Sequence, residues 1–289
     1  MVSVPRRLLS LPSVEVAYAG PDVTVVRKRL REGLHERPSS LSMHAASFVS
    51  AGEQVVYDSA GSRIRIRPGA VGLMRRDLYT ITDLLAERDG VFATAVFFFS
   101  DAVARRALAL AGPRTGEAVG SAPALRLLAP RATFATWPAH VLARARERGA
   151  LSAAAERAWW TEAVAVFLAG ALSRADLEAL LSRPRRGLRD FMRAHYDKPL
   201  SVEDYAYLTG RSARSFRRDF VARFGESPKK WLVARRLERA RELLRRGEVD
   251  SVSAVAEAVG YASVSHFIER YRGRYGETPG ALLAGGLKV

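Results

Sequence analysis

The feature that most limits what this chain can fold into is a duplication near its C-terminus. The stretch GRSARSFRRDFVARFGESP, from Gly210, is answered by GYASVSHFIERYRGRYGETP, from Gly260. Aligned on the first aromatic, Phe216, Phe220, Phe224, Gly225 and Pro228 correspond to Phe267, Tyr271, Tyr275, Gly276 and Pro279 at identical spacings. Residues at i, i+4 and i+8 share one stripe of an α-helix, so each copy reads as a helix burying three aromatics. Gly225 and Gly276 then stand where a helix closes on a left-handed residue, with proline close behind. Upstream, SVEDYAYLTG (201–210) matches SVSAVAEAVG (251–260) through Ser, Val, Ala206/Ala256 and the closing glycine. Each copy is expected to be a short helix, a glycine-containing turn and a second helix. Six residues lead from Gly210 to Phe216 and seven from Gly260 to Phe267, so the second turn should be one residue longer.

Helix, turn and helix is the arrangement whose second helix enters a DNA major groove. Paired helical hairpins also occur as plain scaffolds, and the polar faces argue against that here. Arg214 and Arg218 fall opposite the aromatic stripe, with Ser215 and Arg217 on its flanks. Arg and Ser on the first turns of such a helix suit bidentate contacts to guanine and hydrogen bonds to phosphate. In the second copy Ser265, Glu269 and Arg272 take the opposite face, with His266 beside them and Ser263 at the start of the helix. These nine residues are the candidate DNA contacts. Between the copies, Ser227 and Pro228 read as N-cap and first residue of a helix running to Gly247, with Trp231, Leu237, Ala240 and Leu244 at core spacing. From Pro228 to Arg246 this rod is about 28 Å long at about 1.5 Å per residue. It can present two reading helices to successive major-groove segments about 34 Å apart on one face of DNA.

Charge agrees with a polyanionic partner. The 289 residues carry 46 Lys and Arg against 30 Asp and Glu, a net charge of +16. Before Pro184 there are 24 basic and 17 acidic residues, and after it 22 and 13, so the shorter C-terminal part is the more densely basic. Absent cysteine excludes disulfides, thiolate metal sites and cysteine nucleophiles, and fits a reducing cytoplasm. The apolar runs VFATAVFFF (91–99) and AVAVFLAGAL (163–172) fall far short of the roughly 18 to 20 residues that span a bilayer. No membrane partner is expected. At the start, Ser10, Pro12, Ser13 and Glu15 interrupt what would be a signal peptide's apolar segment.

Residues 23 to 99 read as short antiparallel strands that close into a barrel or sandwich: VTVVRKRL, MHAASFVSA, EQVVYDS, SRIRIR, AVGLMRR, LYTITDLL and VFATAVFFF. From Asp101 helical spacing takes over. Within 152–172, Trp159, Ala163, Val166 and Leu168 lie near one face, read as core in preference to a dimer seam. Ser182, Pro184 and Gly187 among three arginines mark a break. The expected fold class is α+β multidomain, with a regulatory domain over 1–184 (a cupin-like antiparallel β-barrel over about 23–100 and packed helices over about 101–182). A DNA-binding domain follows over 185–289: helix-turn-helix 1 about 201–225, linker helix 228–246 and helix-turn-helix 2 about 251–276.

Over roughly 185–284 the residues resemble the AraC/XylS family of bacterial transcription regulators. The duplicated G-x-S-x(3)-F and G-Y-x(3)-S-H-F turns, WLVARRLERARELL in the spacer and the G-E-S/T-P endings carry the resemblance. It implies promoter DNA as partner and activation through contact with RNA polymerase. PGAVGLMRRDLYT, SFVSAGEQVVYD and DFMRAHYDKPLSVEDY are similar to the subgroup that activates type III secretion genes. That similarity implies a cytoplasmic, nucleoid-associated protein whose barrel self-associates, as in a homodimer, and answers to an anti-activator protein. Elsewhere in the family a similar barrel senses a small-molecule effector. The second reading helix departs from the common pattern: Glu269 would repel phosphate but can accept from cytosine N4, and Ile268 can meet a thymine methyl.

An enzyme in the barrel is the contrasting reading. The barrel segment holds only His35 and His44, without an H-x-H pair, and Glu53, Asp77 and Asp83 form no acid/base constellation. No catalytic residue, cofactor or metal is expected, and His44 is read as an ordinary core or surface histidine.

Overall fold

The computed structural model describes residues 2–5, 8–59, 61–112, 124–128, 132–147, 149, 151–183 and 185–286. The chain divides into two compact units that meet between Ser182 and Arg183.

The first unit is built on two sheets. One orders its strands β1 (Val2–Val4), β4 (Leu34–Leu41), β9 (Leu78–Leu84), β6 (Glu53–Asp58) and β7 (Arg63–Ile66). The other orders β11 (Leu125–Leu128), β8 (Val71–Met74), β5 (His44–Ala51), β10 (Phe92–Phe99), β3 (Val23–Leu30) and β2 (Val14–Ala19). All pairs are antiparallel except β1 with β4. The six-stranded sheet is covered on both faces. Phe92, Val96 and Phe98 of β10 join a core shared with Val56, Ile66 and Tyr79 of the other sheet, while Phe97 and Phe99 face helices. Burial on both sides is why β10 reads as an almost continuous apolar run.

The helices on the outer face are α1 (Asp101–Leu110), α2 (Ala132–Glu147), α3 (Ala153–Ala171) and α4 (Arg174–Leu181). Two expectations need correction. The strands are not confined to 23–100, because β1, β2 and β11 lie outside that span and β11 interrupts the helical region. The buried face of α3 is Trp160, Val164, Phe167 and Leu168; Val166 is 55% exposed, and Trp159 and Ala163 are only partly buried. An Ala-rich helix apolar on nearly every side carries no stripe to read.

Trp160 Nε1 is buried without a hydrogen-bond partner among the described residues, but the buried polar groups between the sheets are paired. Lys28 forms an ion pair with Asp83, which also accepts from Gln54 Nε2 at 2.8 Å; Gln54 Oε1 accepts from the Ser47 hydroxyl at 2.8 Å. His44 is fully buried, with Nδ1 accepting from the Arg76 amide at 3.1 Å. Nε2 therefore carries the proton and donates to Asp101 at 3.1 Å. Desolvation lowers its imidazole below the ordinary range, so it is a neutral core residue.

The second unit is helical: α5 (Leu188–His195), α6 (Val202–Leu208), α7 (Ala213–Phe224), α8 (Pro228–Arg246), α9 (Val252–Ala258), α10 (Val264–Tyr275) and α11 (Pro279–Gly286). The long helix α8 has the bounds expected from sequence. Ser227 caps it, Pro228 opens it and Gly247 closes it at φ 64°. Its first half packs Trp231 against Phe220 and Phe224, with ring centroids 5.7 and 4.9 Å away. Its second half buries Leu237, Ala240, Leu243 and Leu244 with Val255, Val259, Phe267 and Tyr271. One rod thus belongs to two small cores.

Candidate nucleic-acid interface

The first reading helix, α7, is fixed at both ends and along its back. Ser212 accepts from the Ser215 amide at 3.1 Å, and Gly225 ends the helix at φ 76°. Phe216 and Phe220 are fully buried and Phe224 half-buried, the stripe expected from spacing. The turn before α7 spans Thr209 to Ser212, with Gly210 at φ 69°. Arg211 staples it: Nη1 donates to the carbonyls of Thr209 (2.7 Å) and Arg186 (3.0 Å), and Nε to Asp219 Oδ2 at 3.3 Å.

Arg214, Arg217 and Arg218 are exposed and Ser215 is half-buried. Three of these four have partners in the chain. Ser215 accepts from the Ser212 hydroxyl at 3.0 Å, Arg217 meets Glu203 of α6 at 2.6 Å and Arg218 meets Asp219 at 3.0 Å. Arg218 and Arg211 hold the Asp219 carboxyl below the usual carboxylate range. Exposed ion pairs of this kind are worth about 0–1 kcal/mol. A bidentate arginine–guanine contact discriminates by about 1–3 kcal/mol, so DNA can draw these guanidiniums away. Arg214 needs no such exchange, because it has no polar partner among the described residues.

The second reading helix, α10, repeats the frame. Ser263 accepts from the His266 amide at 3.3 Å, Gly276 closes the helix at φ 77°, and Phe267 and Tyr271 are fully buried. The turn before it runs from Val259 to Ser263, one residue longer than in the first copy. Gly260, at φ 80°, sits against the carbonyl of Asp197, which a Cβ would approach to 2.5 Å. Ser263, Ser265, His266, Glu269 and Arg272 are all exposed.

Two findings go beyond the sequence reading. Arg270, not singled out there, is exposed and donates from Nε to His266 Nε2 at 3.2 Å, which places it on the same edge as the candidate histidine. The i, i+4 spacing of His266 and Arg270 is the signal that could have found it. Ile268, expected to face DNA, is half-buried against the second core, so part of its apolar surface is already committed.

The two motifs share a polar junction. Arg236 of α8 donates to the Tyr196 carbonyl at 2.7 Å, and the buried Tyr205 hydroxyl donates to the His195 carbonyl at 2.7 Å. Asp197, two residues on, is the residue against which Gly260 lies. The segment after α5 therefore touches the spacer, the first motif and the second turn.

A helix-turn-helix domain family model matches residues 205–285. The chain is 34% identical over 110 residues to the virulence regulon transcriptional activator VirF of Yersinia enterocolitica, covering 38% of this chain and 40% of that protein. It is 33% identical over 110 residues to the HTH-type transcriptional regulator ExsA of Pseudomonas aeruginosa, covering 38% and 39%. The chain thus matches about two fifths of the length of these relatives. A structure of apo ToxT from Vibrio cholerae aligns over 92% of this chain and 98% of its own, with 10% identity and a TM-score of 0.46. Over its C-terminal unit, then, the chain carries a match to a helix-turn-helix domain and is similar to these transcription regulators.

Proposed function

We propose that this protein is a sequence-specific DNA-binding transcription regulator that acts as an activator. One observation carries the reading: two capped reading helices, α7 and α10, are built into the two ends of a single rod, α8. Arg214, Ser215, Arg217 and Arg218 on the first, with Ser263, Ser265, His266, Glu269 and Arg272 on the second, are the side chains proposed to meet DNA. The exposed guanidiniums supply both phosphate attraction and guanine recognition. RNA polymerase is the proposed recipient of the bound activator's signal, in the bacterial cytoplasm. The similarity to VirF, an activator of a virulence regulon, supports a role at secretion or virulence promoters.

The N-terminal unit, over 1–184 as proposed from sequence, is the regulatory part, with a protein anti-activator or a second copy of the chain as its partner. A small-molecule effector is the competing reading, and it has a specific place. A cavity of about 90 Å³ lies within the unit, lined by Leu8, Leu34, Leu41, Ile81 and Phe98, with the Lys28–Asp83 pair at its wall. That is smaller than the roughly 150 Å³ known to hold a benzene-sized guest, so an effector would have to expand it. The magnitude favours the protein partner.

Mapping the DNA fragments bound by a tagged copy in its native host tests the function. Discrete peaks that share two motifs about one helical turn apart are the expected result. Diffuse occupancy without a motif would reduce the positive charge to general nucleic-acid affinity.

A further inference from the structure

A groove of about 370 Å³ runs between α5 and α8 in the C-terminal unit. Its floor is aromatic. Trp231 is buried at its base beneath Arg235, 4.9 Å from the ring of Phe224 and 6.2 Å from the ring of Tyr196, both half-buried. None of the nine residues proposed to meet DNA lines it. Phe224 enters from the C-terminal end of α7, about two turns beyond the arginines at the start of that helix. The groove is a surface separate from the proposed base-reading face.

Its charges are unevenly satisfied. On the α8 side, Glu238 is held by Arg235 at 3.1 Å and by Arg274 at 2.9 Å, and Glu242 by Arg239 at 3.2 Å. On the α5 side, Arg189 and Arg193 stand one turn apart, both exposed, with no hydrogen bond or ion pair among the described residues. Two uncompensated guanidiniums beside an aromatic floor, facing a wall whose carboxylates are already paired, complement a ligand with both an apolar anchor and carboxylates. A peptide can meet both demands by seating a leucine or phenylalanine against the half-buried rings of Tyr196 and Phe224 and turning acidic side chains toward α5. A phosphodiester backbone fits less well, because it carries no apolar anchor for the aromatic floor.

We propose that this groove docks an acidic segment of a partner protein, anchored by one large apolar side chain, on the DNA-binding unit itself. The proposal goes beyond DNA reading, and its test needs no promoter.

A fluorescein-labelled short peptide of Glu and Asp around a central Leu-Phe pair is titrated into the full-length protein and followed by anisotropy. Saturable binding is expected, weakened about tenfold by Arg189→Glu with Arg193→Glu and little changed by Arg245→Glu with Arg246→Glu, an equal charge change at the exposed end of α8. Replacing Leu-Phe by Gly-Ser in the peptide should also weaken it. All four arginines are exposed, so unchanged thermal melting is expected of both variants. Equal losses in the two variants would reduce the effect to bulk charge and overturn the proposal, as would tight binding by the anchorless peptide. Loss of non-specific duplex DNA affinity in the α5 variant alone, with peptide binding kept, would reassign the groove to DNA phosphate.

Discussion

The two helix-turn-helix motifs of the C-terminal unit keep one interior and exchange their exteriors. Phe216 and Phe220 in the first copy and Phe267 and Tyr271 in the second are all fully buried, and each reading helix starts on serine and stops on a left-handed glycine. Outside, corresponding positions diverge: Arg214 faces Ser265 in the alignment, Arg217 faces Ile268, Arg218 faces Glu269 and Asp219 faces Arg270. The first helix presents three arginines near its start, whereas the second places a carboxylate where the first has its exposed arginine. A fold held by interior aromatics leaves the surface free to change sign, so the two copies can share geometry while reading different bases. If both helices meet DNA as proposed, the exposed arginines of the first should supply the larger share of affinity.

The shared interior should give the largest effects. Phe216→Ala and Phe267→Ala each delete a fully buried ring and should cost about 3–5 kcal/mol, similarly in the two copies. Denaturant melts check this, and a silent Phe216→Ala would break the equivalence. Next come the turns. Gly276→Ala places a Cβ in open space at φ 77° and should cost about 1–2 kcal/mol, the penalty of the left-handed backbone alone. Gly260→Ala adds a 2.5 Å approach to the Asp197 carbonyl and should cost more, above about 2 kcal/mol. Equal melting of the two variants would remove the contact between the second turn and the segment after α5.

The exteriors separate in DNA binding. Arg218→Ala should weaken binding to the specific site by about 1–3 kcal/mol, while Glu269→Gln should leave affinity equal or slightly higher and relax preference at one position. Competition titrations against single-base variants of the site read both; unchanged affinity in a folded Arg218→Ala protein would remove that arginine from the contacts. The smallest effect concerns Tyr205, whose counterpart in the second copy is Val255. Tyr205→Phe should cost about 1 kcal/mol by removing the bond to the His195 carbonyl. Burial pushes this phenol up to about 12, so the folded protein favours its protonated form. Its contribution is complete below about pH 10 and is lost as pH rises through the folded value, so the gap between wild type and Tyr205→Phe should narrow in melts above pH 10.

The C-terminal unit was legible because its signals are local and repeated: serine caps, glycine stops and aromatics four residues apart fix each long helix without reference to distant contacts. Helix α5 escaped because it is short and Gly187 precedes it without a side-chain cap bond; α11 escaped although Thr278 accepts from the Ala281 amide at 3.2 Å, because GALLAGG has no polar face to set a helical phase. In the first unit the misses follow from tertiary context. Strand β4, LHERPSSL, contains Pro38 and three exposed polar residues, takes Glu36 to φ 44° and shifts register between Leu34 and Arg37, so nothing in it alternates. Strand β2 carries an irregularity between Val16 and Tyr18, and β1 and β11 are only three and four residues long. Among the candidate contacts, the exposed side chains followed from helical phase. Their intramolecular partners did not, because Glu203 lies on another helix and its pairing with Arg217 depends on how α6 crosses α7.

The most direct test of the central claim is hydroxyl-radical footprinting of the full-length protein on a site selected from random DNA, at concentrations where it is monomeric. One chain reading two successive groove segments from a rigid spacer should protect two patches about one helical turn apart on the same face of the duplex. Arg214→Ala with Arg218→Ala should remove one patch and leave the other. A single patch, or two that appear only when a second chain binds, would contradict the account.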